Sequence, residues 1–140
     1  MRKITLIIIF LVLSASFGYC QDQSLQLTIK SDKEVYEVGE EVGFQLTIKN
    51  VSSEEIEAPE LIWSSKVIID GKEYSLDSKY IGIWNGPGII LAGTEMFSSI
   101  VLSRYGITKD VLTLGKHDIS VKIGNAFSNT IQIEVREKNP

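Results

Sequence analysis

Val42-Gly43-Phe44-Gln45-Leu46-Thr47-Ile48-Lys49-Asn50 alternates two kinds of residue without a break, and that alternation decides the fold class. Successive side chains of an extended chain leave opposite faces, so Val42, Phe44, Leu46 and Ile48 share one face while Gln45, Thr47 and Lys49 share the other. The result is a strand with one buried side. The pattern recurs towards both ends of the chain. Leu25, Leu27 and Ile29 alternate with Gln26, Thr28 and Lys30, and Ile119, Val121 and Ile123 alternate with Ser120 and Lys122. Ile131, Ile133 and Val135 do so against Gln132 and Glu134.

Between these strands the pattern is less regular. Glu95 to Leu102 places Met96, Ile100 and Leu102 on one side and Phe97 and Val101 on the other, Lys66 to Ile69 reads as a short strand, and Pro59 interrupts Ile56 to Ile62. Asp70-Gly71 lies between Val67-Ile68-Ile69 and Lys72-Glu73-Tyr74. A two-residue reversal needs positive φ at both positions, which Asp-Gly tolerates, so a hairpin is expected there. No stretch holds a 3.6-residue period for three turns, and Asp110 to Leu114 is expected to give a single helical turn at most. Seven to eight strands with turn signals between them, and no alternation of strand and helix, predict an all-β fold of two antiparallel sheets packed face to face. Leu27, Ile29, Phe44, Leu46, Ile48, Ile119, Val121, Ile131 and Ile133 are expected to point inward.

The first 20 residues stand apart. Arg2 and Lys3 precede an apolar run from Ile4 to Phe17, and Gln21-Asp22-Gln23 turns abruptly polar. A bilayer span needs ~20 apolar residues. The shorter run here has the proportions of a secretory signal, and small residues follow it at Ser14, Ala15, Ser16 and Gly18. Residues 1–20 are therefore expected to be a signal peptide and residues 21–140 a single domain, secreted or periplasmic. Cleavage after Cys20 puts the small Gly18 three places upstream of the cut. The alternative is a lipoprotein anchored through Cys20, against which Tyr19 occupies a position where lipoprotein signals carry a small residue.

With 140 residues, 44% hydrophobic and 23% charged, the chain fits one globular domain and not a disordered or fibrous one. Without residues 1–20 it holds 12 Lys and Arg against 18 Asp and Glu, a charge of −6. That sign disfavours nucleic acid and anionic membrane surfaces as partners, and no membrane insertion of the domain is expected. Cys20 is the only cysteine, so residues 21–140 can hold no internal disulfide and stability must come from burial.

Asp32-Lys33, Tyr36, Gly39-Glu40 and Val42, then Phe44, Leu46, Ile48 and Asn50, resemble the opening of immunoglobulin-like and macroglobulin-type bacterial β-sandwich domains. Leu112, Leu114-Gly115, His117, Ile119 and Val121 are similar to the approach to the late strand of such domains, where His117 takes the place of the tyrosine of the tyrosine corner. Ser128-Asn129 before Ile131 resembles the final strand. The resemblance implies an immunoglobulin-like antiparallel sandwich, with Trp63 in the core near the tryptophan such domains place on a central strand, and it carries no activity. A narrower resemblance, to intracellular-proteinase-inhibitor-like domains, rests on Asn50, Asp70-Gly71-Lys72-Glu73, Leu91-Ala92-Gly93 and Gly115-Lys116-His117-Asp118-Ile119. It lacks the aromatic and glycine motif expected before the hairpin.

No catalytic, cofactor or metal motif is present. His117 is the only histidine. A general base would need a nucleophile and an orienting group beside it, so its expected role is structural, with the ring bonded to the backbone of the preceding loop. Asp118 should point to the opposite face. Glu34, Glu37, Glu40 and Glu41 form one acidic group and Glu54, Glu55, Glu57 and Glu60 another. Neither has the spacing of a calcium loop, and both read as solvated positions that keep strand edges from pairing. Asn50-Val51-Ser52 fits the glycosylation triplet, which matters only in a eukaryotic source with that pathway, and at a strand end Asn50 is more simply a turn former.

The least ordinary stretch is Tyr80 to Ile90, where three glycines and Pro87 interrupt Tyr80, Ile83, Trp84 and Ile89. Tyr80, Ile83, Trp84 and Asn85 are the candidate partner-binding residues, forming an aromatic loop at one end of the sandwich. The competing reading makes Trp84 a lid on the core. The chain is accordingly expected to be a non-enzymatic module of the cell envelope without cofactor, binding a protein or a glycan, with a peptidase inhibitor acting through a projecting loop as the alternative.

Overall fold

Strand β3 (Gly43–Asn50) lies between β1 (Leu25–Ser31) and β8 (Glu95–Val101) in a three-stranded antiparallel sheet. The computed structural model describes residues 24–138, so the expected signal peptide, residues 1–20, and Cys20 lie outside the described residues. Facing this sheet is a larger one in the order β2 (Val35–Glu37), β11 (Ile131–Arg136), β9 (Gly115–Ile123), β5 (Lys66–Ile69), β6 (Lys72–Ser75), with β10 (Ala126–Phe127) also paired to β9. β4 (Ile56–Glu57) and β7 (Ile89–Ile90) form a separate two-stranded ribbon. No helix among the described residues is long and apolar enough to cross a membrane.

The core follows the alternation. Leu27, Ile29, Phe44, Leu46, Ile48, Ile119, Val121 and Ile133 are buried, and Ile131, at the open start of β11, is half-buried against them. Leu46, Ile48, Val67, Ile119 and Val121 are 0% exposed. Truncating such a residue to Ala removes apolar contacts and leaves a cavity, a loss of about 2–5 kcal/mol. The β5–β6 hairpin turns at Asp70 and Gly71, with φ of 50° and 84°, as the Asp-Gly pair requires.

Three expectations need correction. The sheets are not wholly antiparallel, because β2 runs parallel to β11, pairing Val35, Tyr36 and Glu37 with Glu134, Val135 and Arg136. After β1 the chain crosses from the first sheet to the second. Tyr36 locks the crossing, with its ring buried and its hydroxyl 2.7 Å from Ser31 Oγ and 3.2 Å from the Gly43 carbonyl.

The stretch interrupted by Pro59 holds a short helix, α1 (Ala58–Trp63). Proline there breaks no helical bond, since the first turn has N–H groups without intrahelical partners in any case. α1 carries Trp63 half-buried at its end instead of placing it in a core strand. Finally, the single turn expected over Asp110 to Leu114 begins earlier, with the N–H groups of Val111 and Leu112 donating to the Thr108 carbonyl at 2.9 and 3.1 Å.

Two asparagines close gaps in the ladders. Asn50, fully buried, donates from Nδ2 to the carbonyls of Glu54 (2.6 Å) and Ile90 (3.0 Å) and accepts at Oδ1 from Ser52 N (3.0 Å) and Ser52 Oγ (2.7 Å). It is a turn former, and in the folded domain its amide is out of reach of any glycan-transferring enzyme. Asn129 bonds the outer edge of β1 as a neighbouring strand would, accepting from Ile29 N (2.8 Å) and donating to Ile29 O (3.1 Å).

Candidate functional site

Residues 76–90 leave β6 without strand periodicity, so local bonds shape them. Asp77 caps a 3₁₀ turn over Ser78–Tyr80 by accepting from Lys79 N (3.1 Å), and its own N–H donates to the Arg104 carbonyl at 2.8 Å. That bond pins the segment beside a second 3₁₀ turn, Leu102–Tyr105, which follows β8. Tyr80 is held between two cations, with Lys79 Nζ 5.0 Å and Arg104 Cζ 5.6 Å from its ring centroid.

Trp84 folds back over its own loop. Its indole Nε1 donates to the Pro87 carbonyl at 2.8 Å, and the ring lies so close to Gly86 that a Cβ there would sit 2.2 Å from Cζ2. Only glycine fits under the ring. The rest of the indole is half-buried and packs on the core, as the lid reading expects in part. Ile83 beside it is 64% exposed, and Asn85 is exposed.

Tyr80, Ile83, Trp84 and Asn85 all line one cleft of about 500 Å³. Its other walls include Trp63, Phe97, Arg104 and Tyr105, so the segment, α1, β8 and the turn after β8 meet there. Phe97 is 56% exposed on the outward face of β8. The Trp63 indole N–H is buried and has no acceptor among the described residues. Tyr105 is buried with its hydroxyl 2.6 Å from Ser65 Oγ. Burial pushes its phenol pKa up against the opposing Ser65 bond, so it stays a neutral donor or acceptor. Among the described residues Arg104 is the only charged side chain lining the cleft.

Sequence reasoning missed Trp63, Phe97, Arg104 and Tyr105 as members of this group. The alternation places Phe97 with Val101 on the second side of Glu95 to Leu102 but does not say what that side meets. Nothing local to Leu102-Ser103-Arg104-Tyr105 indicates that the turn meets residue 80, since that meeting depends on the Asp77–Arg104 backbone bond.

His117 lies elsewhere, on β9, and is buried. Nε2 is 2.8 Å from the Thr113 carbonyl, the preceding-loop contact expected of it, and Nδ1 is 2.7 Å from Asp70 Oδ2 in the hairpin turn. Both partners accept, so the protonated ring alone satisfies both nitrogens. Burial works to lower the His117 pKa, but the Thr113 carbonyl and the Asp70 carboxylate together outweigh it and raise it. Asp70 responds oppositely. Its partial burial is outweighed by bonds from His117 and from Asp118 N (2.9 Å), and its pKa falls.

Asp118 is exposed on the opposite face, where Gln132 Nε2 donates to it at 3.0 Å. In the first acidic group, Glu40 pairs with Lys33 and accepts from Glu37 N at 3.1 Å, while Glu41 accepts from Ser103 Oγ at 2.6 Å. Among the described residues no group of three or more His, Cys, Asp or Glu is placed to hold a metal ion.

No protein-family model matches the chain, and neither does any curated protein. Among solved structures it is similar to the CARDB domain of a Pyrococcus furiosus protein in complex with di-metal ions, at 16% identity over 81% of this chain and 94% of that one, with a TM-score of 0.51. It is also similar to part of an alkylpurine DNA glycosylase from Pseudomonas fluorescens, at 15% identity over 81% of this chain and 30% of that one, with a TM-score of 0.51. A β-glucosidase from Erythrobacter marinus matches at 7% identity over 81% of this chain and 15% of that one, again with a TM-score of 0.51. Such likenesses concern fold alone, and they carry neither the macroglobulin type nor the inhibitor-like type. The chain is an all-β, immunoglobulin-like sandwich, similar in architecture to a CARDB domain.

Proposed function

We propose that this chain is an exported, non-enzymatic sandwich module of the cell envelope that binds another protein through the cleft bounded by Tyr80, Ile83, Trp84 and Asn85. The observation that carries this reading is the convergence of those four residues with Trp63, Phe97 and Arg104 on a single concave surface. Aromatic side chains supply large contact areas at small entropic cost, and a lone cation among them fixes orientation. The non-enzymatic part is supported by His117, which is buried with both nitrogens engaged and is far from free to act as a base.

A protein partner is favoured over a glycan. A sugar ring stacks on an open aromatic face, whereas the Trp84 ring covers Gly86 and its N–H is engaged by Pro87. An inhibitor loop would stand clear of the domain, and this segment lies back against the core through Trp84.

The test pairs Trp84→Ala with Ile83→Ser, the second at an exposed site where stability should not change. Proteins retained by the immobilised wild type from its native source are identified, and their affinities for each variant are measured. A loss of about 30-fold or more for Trp84→Ala, equivalent to about 2 kcal/mol, is expected, with a smaller loss for Ile83→Ser. Unchanged affinity in both variants would remove the cleft from consideration.

A further inference from the structure

An unpaired sheet edge is a row of backbone donors and acceptors ready to take another strand. Three of the four edges of the two sheets are obstructed. β1 is bonded by the Asn129 side chain, β2 is three residues long, and β6 carries Lys72 and Glu73 on four residues. β8 is seven residues long, is flanked on one side only, and bears a single charge, Glu95, at its start.

Its register shows which groups face outward. Asn50 N donates to Thr94 O at 2.9 Å and Leu102 N to Val42 O at 3.0 Å, so the even-numbered residues from 94 to 102 are those that bond to β3. Alternate residues of an antiparallel strand bond to opposite sides. The N–H and C=O groups of Phe97, Ser99 and Val101 therefore point away from β3, and among the described residues no strand lies beyond them. Phe97, Ser99 and Val101 also line the cleft, across from Trp63, Tyr80 and Trp84.

We infer that the cleft receives an extended segment of a partner polypeptide, which adds to β8 as the next strand of its sheet. An apolar side chain of that segment lies against Trp63, Trp84 and Phe97, and a carboxylate meets Arg104. This inference rests on the cleft reading and names its occupant. Charge complementarity commits it to an acidic segment. Among the described residues the cleft is lined by one cation, Arg104, and by no acid, and Arg104 has no carboxylate partner. A single strand is favoured over the edge of a second copy, because α1 and residues 80–86 wall the cleft that residues 97–101 also line, leaving room for one strand and not for a whole sheet.

The experiment pans a phage library of random linear dodecapeptides against the purified protein, with the Trp84→Ala and Arg104→Ala double variant as counter-selection. Enriched peptides should alternate apolar and polar residues and include an acid, and changing that acid to its amide should weaken binding about tenfold. Synthetic versions N-methylated at each residue in turn should lose affinity at alternate positions only. In the complex the amides of Phe97, Ser99 and Val101 should exchange at least about tenfold more slowly.

Binders that depend on Trp84 but tolerate N-methylation everywhere, and leave those three amides unprotected, would overturn strand addition while preserving the cleft as a binding site. No enrichment over the double variant would also overturn it, and the native-partner measurement with Trp84→Ala then decides separately whether the cleft binds. If the acid can be replaced only by a free C-terminal carboxylate, Arg104 reads a chain end and not a side chain.

Discussion

Asn50 offers the sharpest check on the architecture, because one atom exchange reverses half of its bonds. In Asn50→Asp the nitrogen that donates to the Glu54 and Ile90 carbonyls becomes an oxygen that can only accept when ionised. The two bonds from Ser52 to Oδ1 survive the change. Each carbonyl left without its donor costs about 1–3 kcal/mol, and a carboxylate facing two carbonyls at a fully buried site adds a desolvation penalty. The expected loss is about 3–5 kcal/mol at pH 7, a large part of the stability of a domain this size.

The sign with pH follows from linkage. Burial and the two carbonyls favour the neutral acid, so the introduced carboxyl has a folded pKa above its unfolded value of about 3.9. The deficit should grow as pH rises from 3.9 towards the folded pKa, by up to about 1.4 kcal/mol per pH unit. Urea unfolding of the variant and the wild type at pH 5 and pH 7 measures it. A deficit under about 1 kcal/mol at pH 7, or one equal at the two pH values, would refute the assignment of Asn50 as a buried hub.

Three further outcomes are expected. The Asp70–His117 pair should stabilise the fold most between about pH 4 and 6.5, since the lowered Asp70 pKa makes its contribution fade as pH falls below 3.8 and the raised His117 pKa makes its contribution fade as pH climbs past 6.5. Urea midpoints for Asp70→Asn should lack the decline on the alkaline side, and an unchanged decline would assign it to other groups. Gly86→Ala should displace the Trp84 ring, shift tryptophan emission to the red and weaken partner binding; unaltered emission would show that the loop accommodates a Cβ. Asn129→Ala should cost about 1–2 kcal/mol by removing two bonds, with faster exchange of the Ile29 amide as its local signature.

What could be read from the residues divides along the range of the interactions involved. Alternation in β1, β3, β9 and β11 is a local record of which side is buried, and it located nearly all of the inward residues of those four strands. Asp70-Gly71 is a backbone requirement met by two adjacent residues. Pro59 misled because the same residue suits a broken strand and the first turn of a helix, and only the packing of Ala58 and Leu61 on the core decides between them. The candidate segment at residues 80–85 stood out by its composition. Its opposite wall did not, because Trp63 and Phe97 are brought to it by strand order and by one backbone bond from Asp77 to Arg104.

The crossing of the chain between sheets has a mechanical consequence. β2 and β11 lie near the two ends of the described domain and run parallel, held by their ladder and by flanking bonds from Val38 N to Arg136 O (2.9 Å) and Glu134 N to Glu34 O (2.8 Å). A force that draws the two ends apart pulls β2 backwards along β11, so the bonds between them are loaded in shear and must give way together. Peeling would break them one after another at a lower force. Stretching single molecules by residues 33 and 138, which leaves β1 outside the pulled segment, should therefore meet its main resistance at this pair, and Val38→Pro, which deletes the donor to Arg136 O, should lower the rupture force far more than it lowers the melting temperature.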